Sequence, residues 1–397
     1  MRRLLTGVLV SFISLSLVYS QKFILKDSIV IQPSQSDFIF QDADLIGNQL
    51  WCRFDNWTLS GNFIQLVNQK GRVYTFSTQD SSILTEFGSM SPWESGFVIP
   101  KYFGSGRLMC FDTIHSELQI QNEKTYKKRG LFDLIRSYPN RPGIWRNDIY
   151  FHDSLVLCNS ISSDIDPTNN QRMKRTLRRT ISDTKIFMLY NINSKQIVRL
   201  FGGFPSFYLS DTFNVANMQH SFAIDWESGN IYTTFGADNN IMVYNASSKK
   251  VINWYCPGKY LRQEKLKLPV YNRSLYALRD VYNLFLDSYS NMYFFKPYIF
   301  RVYDNAIESD SVMQLLPENA YYTCVPMQIR KAWFAKQLEK KKFLQQIDEN
   351  GKIKIDLPFP HNMNTFVGCT EGKYYFRKLK LVRNEHNAKI YEYEVSE

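Results

Sequence analysis

One arrangement recurs along this chain: an apolar run ending in an aromatic, a short polar turn, then a second apolar run. Phe187-Met188-Leu189-Tyr190 leads through Asn191-Ile192-Asn193-Ser194 to Ile197-Val198 and Phe201-Gly202-Gly203. Met242-Val243-Tyr244 leads through Asn245-Ala246-Ser247-Ser248 to Val251-Ile252 and Trp254-Tyr255. Val73 to Phe76 leads in the same way to Ile83-Leu84 and Phe87-Gly88. Weaker copies run from Met109-Cys110-Phe111 to Leu118 and Ile120, and from Phe300 to Tyr303 on to Val312 and Leu315. Asn, Asp and Ser close such turns by bonding the backbone, so each copy predicts two antiparallel strands.

A second hairpin often precedes the first. Ser221 to Asp225 turns at Glu227-Ser228-Gly229-Asn230 into Ile231-Tyr232, and Phe366 to Cys369 turns at Glu371-Gly372 into Tyr374-Tyr375-Phe376. Ala43 to Ile46 turns at Gly47-Asn48 into Leu50-Trp51-Cys52, and Leu284 to Asp287 turns at Ser288 to Asn291 into Met292-Tyr293-Phe294. Two hairpins in series make a four-stranded meander. One meander cannot cover its own apolar faces, so meanders must stack side by side and the ring must close. The fold class expected is therefore all-β, a β-propeller.

The aromatics before the second turn (Phe76, Phe111, Tyr190, Tyr244, Tyr303 and, near the end, Tyr393) count six blades, with irregular spacings that leave five or seven open. The last copy, Lys389 to Val395, has one strand and then stops. Its partner is expected to be Phe23 to Ile31, which would tie the two ends of the chain together. Insertions are expected near residues 124–146, 159–182 and 323–360. Within the last, Ile329, Trp333, Phe334 and Leu338 fall near helical spacing, which predicts one amphipathic helix over Gln328 to Phe343, packed on the flank.

Composition fits this reading. At 44% hydrophobic the chain can bury a large core, and at 21% charged it is no coiled coil. Residues 1–20 carry Arg2 and Arg3, an apolar stretch from Leu4 to Val18, and short side chains near Ser20; they read as a signal peptide. Residues 21–397 then form a single exported domain, periplasmic or secreted, with no later segment able to span a membrane. Its net charge, +11 for the whole chain, stays strongly positive once the two leader arginines are removed. Six scattered cysteines without a CxxC read as buried thiols ahead of disulfides or a zinc site.

With Phe222 to Tyr232, Met242 to Trp254 and Asn283 to Phe295 as the carrying segments, the chain resembles exported bacterial six-bladed β-propellers of unassigned function, related in architecture to NHL-like propellers. That resemblance implies a binding or interaction protein and no established catalytic residues. Members of such families often bear a lipid-modified Cys after the signal, which this chain lacks.

No catalytic motif stands out. An axial metal would need a His on each inner strand, yet the positions equivalent to His220 are Tyr282 and Asn364; no metal or cofactor is expected. His152-Asp153-Ser154 are neighbours on a strand and point to opposite faces, so they form no triad. The basic runs Lys124 to Arg129 and Arg172 to Arg179 lack stacking aromatics, and nucleic-acid binding is not expected. Asn56, Asn245 and Asn272 match a glycosylation pattern that matters only in a eukaryotic host.

The candidate ligand-binding residues are those entering the innermost strands: Trp93, Trp145, Arg146, His220, Arg279, Asp280, His361, Asn362 and Asn364. Arg offers a forked cationic donor and Trp a flat apolar wall, which suits an anionic or sugar ligand. The expected function is non-catalytic binding of an unidentified protein, glycan or small anionic ligand by a monomer. A propeller hydrolase or lyase with an axial site is the alternative.

Overall fold

The computed structural model describes residues 21–396 apart from 47, 59–60, 79–98, 104–106, 113–116, 123–124, 131–148, 153, 160–184, 192, 195, 207–219, 246–249, 262–286, 308–331, 333–334 and 381–384. The signal peptide expected over residues 1–20 lies outside the described residues.

Among the described residues the fold is all-β and built from meanders. The chain opens with β1 (Phe23–Ile31). Blade I follows as β2 (Ile39–Ile46), β3 (Gln49–Thr58), β4 (Gly61–Asn68) and β5 (Val73–Thr78). Blade II is β6 (Ile99–Phe103), β7 (Arg107–Asp112), β8 (Glu117–Asn122) and β9 (Thr125–Gly130). Blade III is β10 (Ile149–His152), β11 (Leu155–Asn159), β12 (Phe187–Asn191) and β13 (Gln196–Phe201). Blade IV is β14 (His220–Asp225), β15 (Asn230–Phe235), β16 (Asn240–Asn245) and β17 (Val251–Tyr255). Blade V is β18 (Ser288–Phe295), β19 (Tyr298–Asp304), β20 (Lys342–Ile347) and β21 (Ile353–Pro358). The last sheet holds β22 (Thr365–Thr370), β23 (Lys373–Arg377) and β24 (Ala388–Val395), with β1 on its outer edge. The strands thus form six four-stranded antiparallel sheets; five have side chains described at least in part, and β6–β9 is described as backbone.

The closure expected from the chain ends is present. β1 runs antiparallel to β24 with Phe23 opposite Val395 and Ile31 opposite Ala388. Phe23 packs edge-on against Tyr374, Phe376 and Tyr393, with ring centroids 5.3, 5.1 and 6.4 Å away. A strand from one end of the chain therefore completes a sheet made at the other, which removes an edge and fixes the ring.

Burial falls from axis to rim. The innermost strand β14 is buried along most of its length because neighbouring blades cover both its faces. The rim strand β17 is mostly exposed, with Tyr255 69% accessible. Inner strands are bonded blade to blade: Tyr150 Oη donates to the Phe222 carbonyl at 2.6 Å, and the Met292 amide to Ser221 Oγ at 3.0 Å. β2, β18 and β22 each carry a register shift, which bends and twists an inner strand. β22 also passes so close to its neighbours that a Cβ on Gly368 would lie 2.5 Å from Leu45 Cβ and 3.0 Å from Phe295 Cζ.

Several expectations are corrected. Tyr190, Tyr244 and Tyr393 do occupy third strands, but Phe111 and Tyr303 lie in second strands and Phe76 in a fourth, so these aromatics do not mark equivalent positions. β19 is paired on both edges, with β18 and β20, so it has no edge left for the hairpin expected from Tyr303 to Val312; Val312 and Leu315 themselves lie outside the described residues. The turn expected at Ser288 to Asn291 is instead the start of β18, which turns at Lys296-Pro297. Of the insertion expected at 124–146, Thr125–Gly130 is β9; of that at 323–360, β20 and β21 are the third and fourth strands of blade V. Described helix is confined to residue 332 and residues 335–339, and Lys342 already begins β20, so the helix expected through Phe343 ends earlier. For β19 local periodicity could not find the partner, because Lys342, opposite Asp304, lies 38 residues away in sequence.

No described helix is long and apolar enough to cross a membrane. Cys52, Cys256 and Cys369 are buried free thiols, as read from their apolar surroundings; burial pushes the Cys369 thiol up to about 12.

Candidate functional site

The two ends of the blades differ. Connections from first to second strands and from third to fourth strands are short throughout, such as residues 226–229, 296–297, 348–352 and 371–372. Asx turns and positive φ values close them: Asp348 Oδ1 accepts from the Asn350 and Lys352 amides at 3.0 and 2.9 Å, and Gly351 has φ +80°. The strands flanking residues 79–98, 131–148, 160–186, 202–219, 256–287 and 305–341 end and begin at the opposite end of the blades. In an antiparallel meander this is the end where inner strands begin. Both attachment points of each long connection therefore fall on one face.

The described part of that face carries a charge cluster between blade V, the last sheet and blade I. Asp304 ends β19 and is paired with Lys340 at 2.5 Å, both side chains sealed from water. Lys342 opens β20 and donates from Nζ to the Asn364 carbonyl at 2.8 Å. Asn364 precedes β22, and its amide is taken up by Leu379: Nδ2 donates to the Leu379 carbonyl at 2.9 Å and Oδ1 accepts from the Leu379 amide at 2.6 Å. Arg377 ends β23 and reaches blade I, where Nη2 pairs with Asp42 at 2.5 Å and Nη1 donates to the Gln41 carbonyl at 3.3 Å. Its guanidinium lies 5.1 Å from the Phe40 ring centroid. Burial pushes the Lys342 ammonium down, opposed by Asp304 and reinforced by Lys340 and Arg377.

His220 begins β14. Its ring stacks on Phe235 at 5.6 Å and meets Phe187 and Phe204 edge-on at 6.5 and 6.4 Å. Nε2 is enclosed and finds no hydrogen-bond partner among the described residues, although the residue as a whole keeps some exposure. Burial alone pulls its pKa down to about 4, so the imidazole is neutral at pH 7.

The comparisons add the fold and nothing narrower. No family model matches the chain, and no curated protein matches its sequence. A DUF4221 family member from Bacteroides vulgatus superposes with TM-score 0.63 at 11% identity, over 95% of this chain and 98% of that one. A Bacteroides fragilis protein considered to be exported gives TM-score 0.45 at 10% identity, over 95% of each. Virginiamycin B lyase from Staphylococcus aureus gives 0.36 at 9% identity, over 94% of this chain and 99% of that one. This chain is a β-propeller.

Of the residues expected to bind ligand, the structure describes four. His361 and Asn362 are exposed at the centre of the turn before β22, and Asn362 adopts φ 64°. Asn364 follows them and points inward to Leu379, so it positions the connection. His220 stands on blade IV in its aromatic surroundings. Trp93, Trp145, Arg146, Arg279 and Asp280 lie outside the described residues. Lys340, Lys342 and Arg377 escaped the sequence reading because each ends or precedes a strand that only blade assignment reveals. Among the described residues no three His, Cys, Asp or Glu side chains gather in a metal-holding group. Asn56, in the glycosylation pattern, is buried and donates to Asp37.

Proposed function

We propose that this is an exported, non-catalytic propeller that captures a ligand or partner on the face of its long connections. The observation that carries this reading is the segregation of the connections. One face is stripped to tight turns; on the other fall the strand ends that bound six long segments, which the sheets do not need for closure. Loops of that kind on a rigid scaffold are where recognition is usually built. The basic residues at the strand ends, with the strongly positive net charge, favour an anionic or acidic-glycan ligand over a cationic one. Residues 1–20 supply the export half of the proposal.

The test is a glycan array carrying neutral, uronate and sulfated oligosaccharides, followed by hydrogen-exchange footprinting of the strongest hit on the mature chain. Protection is expected in the connections entering β14, β18 and β22. Protection confined to the turns at 226–229, 348–352 and 371–372, or no array binding at all, refutes the proposal. N-terminal sequencing of the protein recovered after expression checks removal of the leader.

A further inference from the structure

We infer that the corner between blade V and the last sheet, at the start of β20, is a receptor for a small oxyanion, with Lys342 as the contacting cation. The inference rests on the reading that the long-connection face is the binding face, and it names the ligand chemistry there: carboxylate or phosphate oxygens.

The argument begins with donors. An ammonium has three, and Lys342 Nζ donates to one protein acceptor among the described residues, the Asn364 carbonyl at 2.8 Å. The nearby acids are already engaged. Asp304 is held by Lys340 at 2.5 Å, with 5% and 1% of the two side chains accessible. Asp42 is held by Arg377 at 2.5 Å. Among the described residues Lys342 is thus the cation of this corner that pairs with no carboxylate. Arg377 Nε, enclosed in the same corner, has no hydrogen-bond partner among the described residues.

Accessibility separates the two lysines. Lys340 is sealed and structural, whereas Lys342 is only partly buried, at the ends of the strands bounding residues 305–341, 359–364 and 378–387. Burial and the neighbouring Lys340 and Arg377 destabilise its charge, and an anion at the mouth would relieve all three effects. Oxygen acceptors suit the two remaining N–H directions better than a spherical halide, because each accepts a charge-assisted hydrogen bond. A cation is repelled.

The experiment is titration calorimetry of the mature chain with inorganic phosphate, sodium acetate and galacturonate, each against chloride at matched ionic strength. Binding of at least one ion with Kd on the order of 1 mM is expected. Tighter phosphate indicates a phosphate group, and tighter galacturonate indicates a sugar acid. Lys342→Met should weaken binding by about tenfold or more, the loss of one charge-assisted bond. Lys354→Gln, which removes a cation paired with Asp348 on the hairpin face, should leave it unchanged. Should Lys342→Met fail to fold, Lys342→Gln takes its place, and Lys342→Arg is expected to retain binding. A purely structural lysine would change the melting temperature without changing the titration. Absence of binding by all three ions, or equal binding to Lys342→Met, overturns the inference. If the array ligand still footprints on the long connections, only this inference fails; if its footprint falls on the turns, the underlying reading fails with it.

Discussion

His220 makes folding stability depend on pH in a calculable way. Its folded pKa is pulled from 6.5 to about 4 by burial, with no hydrogen bond to offset that cost. Above pH 6.5 the ring is neutral in both folded and unfolded chains and contributes no pH slope. Between pH 6.5 and about 4 the unfolded chain binds a proton that the folded chain refuses, so stability falls as pH falls. A fall from 6.5 to about 4, at about 1.4 kcal/mol per pH unit, sets an upper limit of about 3.5 kcal/mol, approached below pH 4. The residue keeps some exposure, so the measured loss should lie somewhat below that limit. The assay is urea unfolding of the wild type and His220→Phe at pH 7, 5.5 and 4.5, reading the difference between the two proteins so that other titrating groups cancel. Phe suits the pocket because Phe187, Phe204 and Phe235 already line it. The wild type should lose stability relative to the variant as pH falls. Parallel pH curves would show that the imidazole is solvated or partnered, and would refute the reasoning.

Three further outcomes follow from the packing. Deleting residues 21–31 removes β1 and the Phe23 contacts, and thermal unfolding should show loss of the cooperative transition or a drop in Tm of many degrees; an unchanged Tm would show that the ring closes without β1. Gly368→Ala forces a Cβ against Leu45 and Phe295 and should cost about 1–3 kcal/mol in urea unfolding, whereas Gly203→Ala, with open space around it, should cost well under about 1 kcal/mol. Arg301→Met should cost about 3 kcal/mol by the same measurement. That guanidinium is fully buried in blade V, lies 3.8 Å from the Tyr289 centroid, and donates to Gln345 Oε1 and to the Asn239 and Cys256 carbonyls of blade IV; the variant strips Gln345 Oε1 of this donor and leaves the two carbonyls with only their weaker bonds from the Cys256 amide and Tyr289 Oη.

Much of the architecture is legible in local chemistry. Turn residues such as Glu371-Gly372 and Ser228-Gly229 sit between alternating apolar runs, and those hairpins form where read, because a tight turn fixes the pairing of the strands on either side. The pairing of residues 23–31 with 388–395 is also legible, since an unpaired final strand demands a partner and the apolar run from Phe23 to Ile31 is a suitable one. The helix beyond Glu339 and the hairpin after Tyr303 fail for the opposite reason. Phe343 and Leu344 fit a helical stripe and a buried strand equally well, and the choice falls to β19, whose edge β20 completes.

The amino-acid sequence by itself determined that this chain makes antiparallel meanders that stack and close, because period, turn residues and chain ends are local properties. Only the tertiary structure decided which segments share a blade, that all long connections emerge on one face, and that Lys342, Arg377 and Asp304 meet there. Those facts depend on partners far apart in the chain, and their energies come from burial and charge compensation, which exist only once the sheets are packed together.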